Sequence, residues 1–309
     1  MNSPLFSIAT PTRNALPKLR RCVGSIRGQV GVTWEHLVQD ACSSDGSVRF
    51  LADEASTDAC LKPRSEADSG MYDAINRAWQ RSQGTLLSWL NADEQYLPGT
   101  LQRVACYMAA NPSVDVMFAD YLAVDDRGLA VAVRREIPFR RFYVVNSFLN
   151  LQSCTMFFRR ELFERGWLTF DSRYRYAADK DLVLCLHERG ARFAHLPEVL
   201  SMFGVDGANL STHAKMAEEA EAVRREHGAL AWRPLRALAL GARRTERLLR
   251  GAYRRSDIRY AWASDEVPHY VHYRSQRAGG RYSLADVDGS AEISPVTHPG
   301  AAPAGRIDR

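Results

Sequence analysis

An acidic turn directly follows an apolar run near residue 90. Residues 86–90 (LLSWL) predict a buried strand, and Asn91, Ala92, Asp93 and Glu94 come immediately after it. Carboxylates at a strand end bind hard divalent cations, which in turn neutralise phosphate oxygens. Taken alone, the turn also fits an ordinary surface turn. Its metal interpretation gains support from acidic residues at 40 and 66–68, which follow further strand candidates in the same half of the chain.

Alternating short strands and helices position these clusters. Residues 6–10 (FSIAT) and 36–39 (HLVQ) predict two strands, and residues 71–82 predict a helix. This alternation is typical of a mostly parallel α/β sheet, which binds ligands at the carboxyl ends of its strands. Because the polar clusters at 10–14, 40–45 and 91–94 all follow strands, we expect them to meet at one edge of the sheet.

The composition is that of an ordinary globular protein. With 309 residues, 46% hydrophobic and 25% charged, the chain is unlike disordered, fibrous or integral membrane proteins. No apolar run approaches the ~20 residues that cross a bilayer, and no leader pattern opens the chain, so a cytoplasmic location is expected. The six cysteines are scattered without a Cys-x-x-Cys pair or a nearby histidine, and indicate neither a zinc site nor a disulfide.

Four ordered motifs resemble those of the family 2 glycosyltransferases, enzymes of the GT-A fold. They are FSIATPTRN at 6–14, Asp40 with SDG at 44–46, EADSGMYDAIN at 66–76, and WLNADE with YLPG at 89–99. The order and spacing match between residues 5 and 200, and the string at 66–76 is the most specific. The resemblance implies a Rossmann-like, mostly parallel sheet flanked by helices, a nucleotide-diphospho-sugar donor, and Mg²⁺ or Mn²⁺ as cofactor.

The resemblance also implies roles for individual donor-binding residues. Asp40 would accept a hydrogen bond from the base, Asp68 would lie near the base or ribose, and Asp93 would bind the metal that bridges to the diphosphate. Asn91 stands where many relatives have Asp, and Glu94 where a second Asp is common, so a less negative metal site is expected. The other expected donor-binding residues are Thr10, Pro11, Thr12, Arg13, Asn14 and Ala92.

Structural roles fit several of these positions equally well from the residues alone. Asp40 could cap the following turn, Asp68 could be a solvated loop residue, and Tyr72 could belong to the core. Asp73 and Asn76 are balanced between a functional and a structural role.

The segment YAADKDL at 176–182 resembles the family's A-x-D-x-D-L segment, in which an Asp acts as general base. An inverting transfer needs a carboxylate that takes the acceptor hydroxyl's proton as its oxygen attacks the anomeric carbon. We expect Asp179 in this role and Asp181 as its alternate, although Asp181 also fits capping of the helix start. Lys180 replaces a common aromatic, and is expected to be solvated or to pair with a carboxylate.

A basic segment lies near the C-terminus. Residues 224–259 contain eleven Arg and three acidic residues, a local net charge of +8, so the rest of the chain sums to about −3. Apolar residues at 235, 238, 242, 249 and 252 recur at helical spacing. Such a helix can lie on an anionic membrane surface, or can pack on the catalytic domain with a solvated basic face. Because the charge is confined to one segment, nucleic-acid binding is not expected.

We therefore expect a GT-A domain over residues 1–212, with a nucleotide-sugar-binding half at 1–120 and an acceptor and base half at 121–212. A basic helical extension should cover 213–278, and a disordered tail 279–309. The predicted activity is transfer of a sugar, with inversion, to a glycan or lipid-linked acceptor in cell-surface polysaccharide assembly, on the inner face of the membrane.

Two alternatives remain open at this point. A nucleotidyltransferase would also use an α/β sheet and acidic metal ligands, but residues 10–14 lack the glycines of its phosphate loop. A noncatalytic module that binds sugar nucleotides is favoured by Asn91 and Lys180, and opposed by Asp93 and Asp179.

Overall fold

The computed structural model describes residues 3–205, 214–263, 269–274 and 291–295. The helices are α1 (Leu16–Arg27), α2 (Ser47–Thr57), α3 (Met71–Gln80), α4 (Thr100–Ala110), α5 (Arg141–Asn146), α6 (Arg160–Glu164), α7 (Ala178–Glu188), α8 (Ala214–Glu226) and α9 (Arg233–Leu249). The strands are β1 (Phe6–Thr12), β2 (Trp34–Asp40), β3 (Arg64–Ser65), β4 (Leu86–Trp89), β5 (Gln95–Tyr96), β6 (Val116–Val124), β7 (Ala130–Arg134), β8 (Phe157–Arg159), β9 (Phe193–Gly204), β10 (Asp257–Trp262), β11 (His269–Arg274) and β12 (Ala291–Pro295). Within these ranges, no helix combines the length and apolar content needed to cross a membrane.

Strands β1 to β9 form one sheet in the order β3-β2-β1-β4-β8-β6-β9-β5, with β7 paired to β6. Strand β1 pairs in parallel with β2 and β4, and β6 pairs in parallel with β9. Antiparallel pairs attach β5, β7 and β8. Most paired residues lie in parallel pairs, which confirms the predicted mostly parallel α/β sheet.

Apolar side chains cover both faces of this sheet. On one face, Trp79 of α3 packs edge-to-face on Trp89 at 5.9 Å between ring centroids, and stacks on Phe170 at 5.4 Å. On the other face, Ile26 of α1 and Leu101 of α4 pack in one cluster with residues of β1. Strand β1 is buried at all seven positions, as expected of a parallel strand covered by helices on both sides. This packing holds the strand ends, where the site residues lie.

The C-terminal region is only partly the predicted helical extension. Helices α8 and α9 are present, but β10 and β11 pair antiparallel at 257–274, and β12, inside the predicted disordered tail, pairs with β11. Buried Tyr260 and Trp262 recur at a spacing of two along β10, a strand pattern that the helical interpretation missed. The ring of Trp262 packs so closely on Gly128 that a Cβ there would lie 2.3 Å from it. The rest of the predicted tail lies outside the described residues.

Candidate functional site

The carboxyl ends of β1, β2 and β4 lie at one edge of the sheet, as predicted. Thr12 and Asp40 are directly opposite each other in the β1–β2 register. Asp40 is fully buried, and its Oδ2 accepts hydrogen bonds from the Ser43 N–H at 3.0 Å and the Ser65 hydroxyl at 2.6 Å. Asp40 Oδ1 and Thr12 Oγ1 are buried without a partner among the described residues. Buried polar atoms in this state can be satisfied by a ligand at the strand ends.

The loops after β1 and β2 are held together by side chains. Asn14 adopts a φ of 48°, donates its N–H to Ser43 Oγ at 2.8 Å, and accepts the Ser44 N–H on Oδ1 at 2.8 Å. Asp45 accepts the Leu16 N–H at 2.8 Å, which joins the start of α1 to the same loop. Asn14 therefore shapes the loop that the sequence assigned to donor binding.

The other predicted residues of this loop differ in exposure. Thr10 is fully buried, and its hydroxyl lies 2.8 Å from His36 Nε2 inside the sheet. Its side chain therefore links β1 to β2 and does not face the sheet edge, which does not support the donor-binding role expected for that side chain. Pro11 is also buried, whereas Arg13 is exposed at the sheet edge.

The turn after β4 is held from inside by Glu94. This residue is fully buried, its Oε2 accepts the Asn91 N–H at 2.8 Å, and its Oε1 accepts the Ser153 hydroxyl. Burial, together with the negative charge of Asp93, raises the pKa of Glu94 to about 8. Both of its carboxylate oxygens accept hydrogen bonds from within the protein. Glu94 stands where relatives commonly have a second Asp, but its side chain holds the turn from inside.

Asp93 lies on the other side of this turn, next to buried Ala92. It lines a small cavity together with Lys18, Arg21 and Trp262. The end of β9 passes so close that a Cβ on Gly204 would lie 2.7 Å from the Asp93 carbonyl oxygen, a distance that only glycine permits. Asn91 Oδ1, on the same turn, is buried and has no partner within the described chain. A carboxylate and an amide oxygen are hard oxygen donors that suit Mg²⁺ or Mn²⁺ beside a diphosphate.

Lys18 and Arg21 were not predicted as site residues. They stand three positions apart on α1, so one face of the helix brings both to the cavity. The Arg21 guanidinium lies 5.2 Å from the Trp262 ring centroid, which orients it. The available signal was this spacing of two cations in the helix that follows the motif at 6–14.

The motif at 66–76 separates into structural and site residues. Asp68 is partly buried and accepts the Gly70 N–H at 2.9 Å, and burial raises its pKa. Asp73 accepts the Ser69 N–H and pairs with Arg77, each at 2.9 Å. Asn76 exchanges two hydrogen bonds of 2.9 Å with the backbone of Phe170. The structure thus gives Asp73 and Asn76 structural roles.

Tyr72, from the same motif, reaches the predicted base. Its side chain is buried, its hydroxyl donates to the Tyr176 carbonyl at 3.5 Å, and it lies close enough to Asp179, at the start of α7, to affect the pKa of that carboxyl. Asp179 Oδ1 accepts the Lys180 N–H at 2.8 Å. Burial dominates over these interactions and raises the pKa of Asp179, which makes its carboxylate a stronger base. The sequence had offered only a core role for Tyr72.

Asp181 does not cap the start of α7. Its Oδ1 lies 2.9 Å from His227 Nε2, and its Oδ2 lies 3.9 Å from Cys185 Sγ. The bond to Asp181 is the main reason that the pKa of His227 rises to about 10. His227 Nδ1 lies 3.0 Å from Glu188, so an ion-pair network joins α7 to the end of α8. The side chain points sideways to α8, which explains why the capping prediction is wrong.

The ligand atoms of Asp181, Cys185 and His227 all lie within 4.8 Å of one another, so this group could also hold a metal. The cysteine spacing did not reveal it because His227 comes from a distant part of the chain. Lys180 differs from its prediction as well: it is buried, donates to the Ser147 carbonyl at 3.3 Å, and burial lowers its pKa to about 7.

The fold and the site together characterise one class of enzyme. It is an α/β protein with an acidic turn and paired loops at the carboxyl edge of its sheet, and its second half supplies a partly buried carboxylate, Asp179. The chain belongs to glycosyl transferase family 2, whose profile matches residues 7–167. This membership favours glycosyl transfer over the nucleotidyltransferase alternative.

The curated relatives include glycosyltransferases named for biosynthetic roles. A PGL/p-HBAD biosynthesis glycosyltransferase of Mycobacterium bovis is 31% identical over 187 residues, which cover 59% of this chain and 69% of that protein. The O-antigen biosynthesis protein RfbC of Myxococcus xanthus is 28% identical, over 64% of this chain and 16% of that protein.

Solved structures share the fold at low sequence identity. TarS from S. aureus in complex with UDP-GlcNAc aligns with a TM-score of 0.60 and 17% identity, over 79% of this chain and 72% of that chain. The mannosyltransferase PcManGT from Pyrobaculum calidifontis, in complex with GDP-Man and Mn²⁺, aligns with a TM-score of 0.53 and 18% identity, over 81% and 77%. The GT-A fold predicted from the motifs is thereby confirmed.

Proposed function

We propose that the protein transfers a sugar from a nucleotide-diphospho-sugar to a hydroxyl of a glycan or lipid-linked acceptor, with inversion at the anomeric carbon. The observation that carries this proposal is the place of Tyr72, whose hydroxyl donates to the Tyr176 carbonyl at 3.5 Å and lies close enough to Asp179 to affect the pKa of that carboxyl. Tyr72 follows directly on the donor segment at 66–70, and Asp179 begins α7 in the second half. Tyr72 therefore joins the donor-binding half to the residue proposed as base.

Asp179 supplies the proton acceptor in this mechanism. Its carboxylate takes the proton of the acceptor hydroxyl, the hydroxyl oxygen bonds to the anomeric carbon, and the bond from that carbon to the diphosphate breaks on the opposite side. A partly buried carboxylate with a raised pKa suits this step because it binds the proton more strongly than a solvated one. Asp181 is less suited, since its carboxylate is already engaged by His227.

The leaving diphosphate would be held at the turn after β4. Asp93 and the Asn91 Oδ1 are the proposed ligands of a divalent cation, which when bound would neutralise part of the diphosphate charge. Lys18 and Arg21 line the same cavity and would add fixed positive charge. Asp40 Oδ1 would accept a hydrogen bond from the base, with Asp68, Thr12 and Arg13 around the rest of the nucleoside.

The relatives support the choice of donor and acceptor classes. UDP-GlcNAc and GDP-Man, named with the two solved structures, are both nucleotide-diphospho-sugars. The names of the curated relatives refer to O-antigen, teichuronic acid and PGL/p-HBAD biosynthesis. These names support the proposal of a cell-surface glycan or lipid-linked acceptor, which we propose is met at the inner face of the membrane.

Calorimetric titration of UDP and GDP with Mn²⁺ tests the donor site. We expect binding that weakens at least tenfold with EDTA and in Asp93→Ala, because one carboxylate ligand or the cation is then missing. Asp53→Ala removes an exposed carboxylate from α2 and is the matched control, expected to bind as the wild type does. Undiminished binding both with EDTA and in Asp93→Ala would contradict the proposed metal site.

A further inference from the structure

The arginine-rich helix α9 packs on the domain with arginines, not with leucines. Arg243 and Arg247 are each 4% exposed, and both pair with buried Glu136, at 3.5 Å and 2.7 Å. Arg236 pairs with Glu221 at 2.8 Å. At ~100° per residue these three arginines, here called the arginine stripe, fall within about 40° of one another on the helix. The alternative in which the apolar residues pack on the domain is therefore wrong.

The apolar residues of α9 face outward instead. The leucine stripe consists of Leu235, Leu238, Ala242 and Leu249. These four fall within about 60° of one another, on a different side of the helix from the arginine stripe. Leu238 is 68% exposed and Leu249 is 82% exposed. Trp232 before the helix and Leu248 near its end are also exposed, so the helix presents an extended apolar surface.

Such a surface is characteristic of a binding face, since soluble monomers rarely leave contiguous apolar patches uncovered. Helix α5 packs beside α9 and carries exposed Phe142, and the Arg243 guanidinium lies 4.5 Å from the ring centroid of half-exposed Phe148. Exposed apolar side chains in this region therefore lie on α5 and on the residues after it, as well as on α9.

Positive charge accompanies the leucine stripe. Arg254 and Arg255 are exposed shortly after the C-terminal end of α9. An anionic bilayer can accept both components, because leucines enter the acyl boundary while long arginine side chains reach the phosphates. A second copy of this chain is a poorer occupant, because symmetric pairing of the stripe would bring these arginines toward each other.

We propose that the leucine stripe of α9 docks on an anionic lipid surface, with Arg254 and Arg255 contacting headgroup phosphates and the arginine stripe fixing the helix to the domain. This inference rests on the membrane location included in the proposed function, but its test involves no glycosyl transfer. Docking would hold the donor site beside acceptors that reside in the membrane.

The test is co-sedimentation of the full chain with phosphatidylcholine vesicles and with vesicles containing one quarter phosphatidylglycerol. We expect binding to the anionic vesicles that weakens with salt, since exposed charges are screened. The double variant Leu238→Ser/Leu249→Ser should bind the anionic vesicles at least roughly tenfold more weakly, because two apolar side chains are lost from the interface. Arg254→Gln/Arg255→Gln should lose roughly five- to tenfold on anionic vesicles.

Matched controls separate this surface from general effects. Val30→Ser changes an exposed apolar residue outside α9, and Arg49→Gln an exposed arginine of α2; both should bind as the wild type does. Wild-type protein that binds neither vesicle, or a leucine variant that binds normally, would overturn the proposal. So would a dimer that dissociates on Leu238→Ser/Leu249→Ser, since the stripe would then be a subunit interface. UDP binding by each variant reports on the donor site independently.

Discussion

The carboxyl edge of the sheet and the region around α9 both concentrate charged side chains, but their buried carboxylates differ in the partners they have. At the edge, fully buried Asp40 leaves one oxygen without a partner among the described residues. Around α9, buried Glu136 is matched by two arginines. A carboxylate left partly unsatisfied marks a place for a ligand, whereas one matched by cations marks a joint between elements. The second half of the chain contains Asp179 and Asp181 two residues apart, and its bond to His227 makes Asp181 a carboxylate of the second kind.

The largest expected effect separates those two residues by activity. Asp179→Asn keeps the size and the hydrogen-bonding of the side chain but cannot take a proton, so transfer should slow by ~10²–10⁴-fold. Donor affinity should remain nearly unchanged. Single-turnover measurement at saturating donor reports the chemical step without interference from slow product release.

Asp181→Asn is the matched control for this comparison. It should transfer sugar at close to the wild-type rate while losing about 2 kcal/mol of stability, because a hydrogen bond to a charged histidine is weakened. If Asp179→Asn is active and Asp181→Asn is inactive, the base is Asp181. Full activity of both variants would contradict single displacement through this segment.

The next effect tests the joint at α9. Glu136→Gln leaves Arg243 and Arg247 buried without a counter-charge, so the free energy of unfolding should fall by about 3–5 kcal/mol. Glu246→Gln provides the comparison, because Glu246 pairs with Arg140 and Arg250, both half-exposed, at 3.2 Å and 2.9 Å. Its loss should cost less than about 1 kcal/mol. Urea unfolding measures the free energy of unfolding of both variants. Equal decreases would show that the Glu136 ion pairs do not hold α9 to the domain.

The sequence predicted which residues lie at the carboxyl edge of the sheet, but not the directions in which their side chains point. Strands that end in polar clusters, together with the ordered motifs, placed Asp40 and Asp93 at one edge correctly. The side-chain directions of Glu94, Lys180 and Asp181 were not predicted because their partners are remote in sequence, at 59, 33 and 46 residues. Local spacing specifies that such a residue follows a strand or begins a helix, but only tertiary packing decides where it points.

The C-terminal region was harder for a related reason. Helical spacing identified α9 and its apolar stripe. Which side of the helix meets the domain depends on Glu136, about a hundred residues earlier in the chain. The strands at 257–274 are short, so their two-residue period was lost beside the stronger helical signal.

A smaller effect concerns the second joint, His227. Its pKa is about 10 in the folded protein against an ordinary value of 6.5, so the folded state holds the proton more tightly than the unfolded chain. The resulting stabilisation is complete below pH 6.5 and is lost as the pH rises through about 10. The melting temperature should therefore fall between pH 7 and 10, with a shallower fall in His227→Gln. Parallel curves for the two proteins would contradict the ion-pair network with Asp181 and Glu188.

The smallest effect concerns the contact that joins the two halves of the site. Tyr72→Phe keeps the ring that packs on Phe170, 4.7 Å between centroids, and removes only the hydroxyl, which donates to the Tyr176 carbonyl at 3.5 Å and lies near Asp179. The hydroxyl lowers the pKa of Asp179 against the larger effect of burial, so its removal should raise the pKa further.

Because Asp179 acts as base only when deprotonated, the acid limb of the kcat profile should then move to higher pH. The rate should fall a few-fold at acidic pH and less at alkaline pH, as expected for one hydrogen bond worth about 1 kcal/mol. Tyr96→Phe removes a buried hydroxyl that bonds Ser88 at 3.0 Å and should leave the limb in place. A uniform loss of rate at every pH in Tyr72→Phe would mean that Tyr72 only packs. A shift of the limb would show that a tyrosine from the donor motif sets the basicity of a carboxylate in the other half of the enzyme.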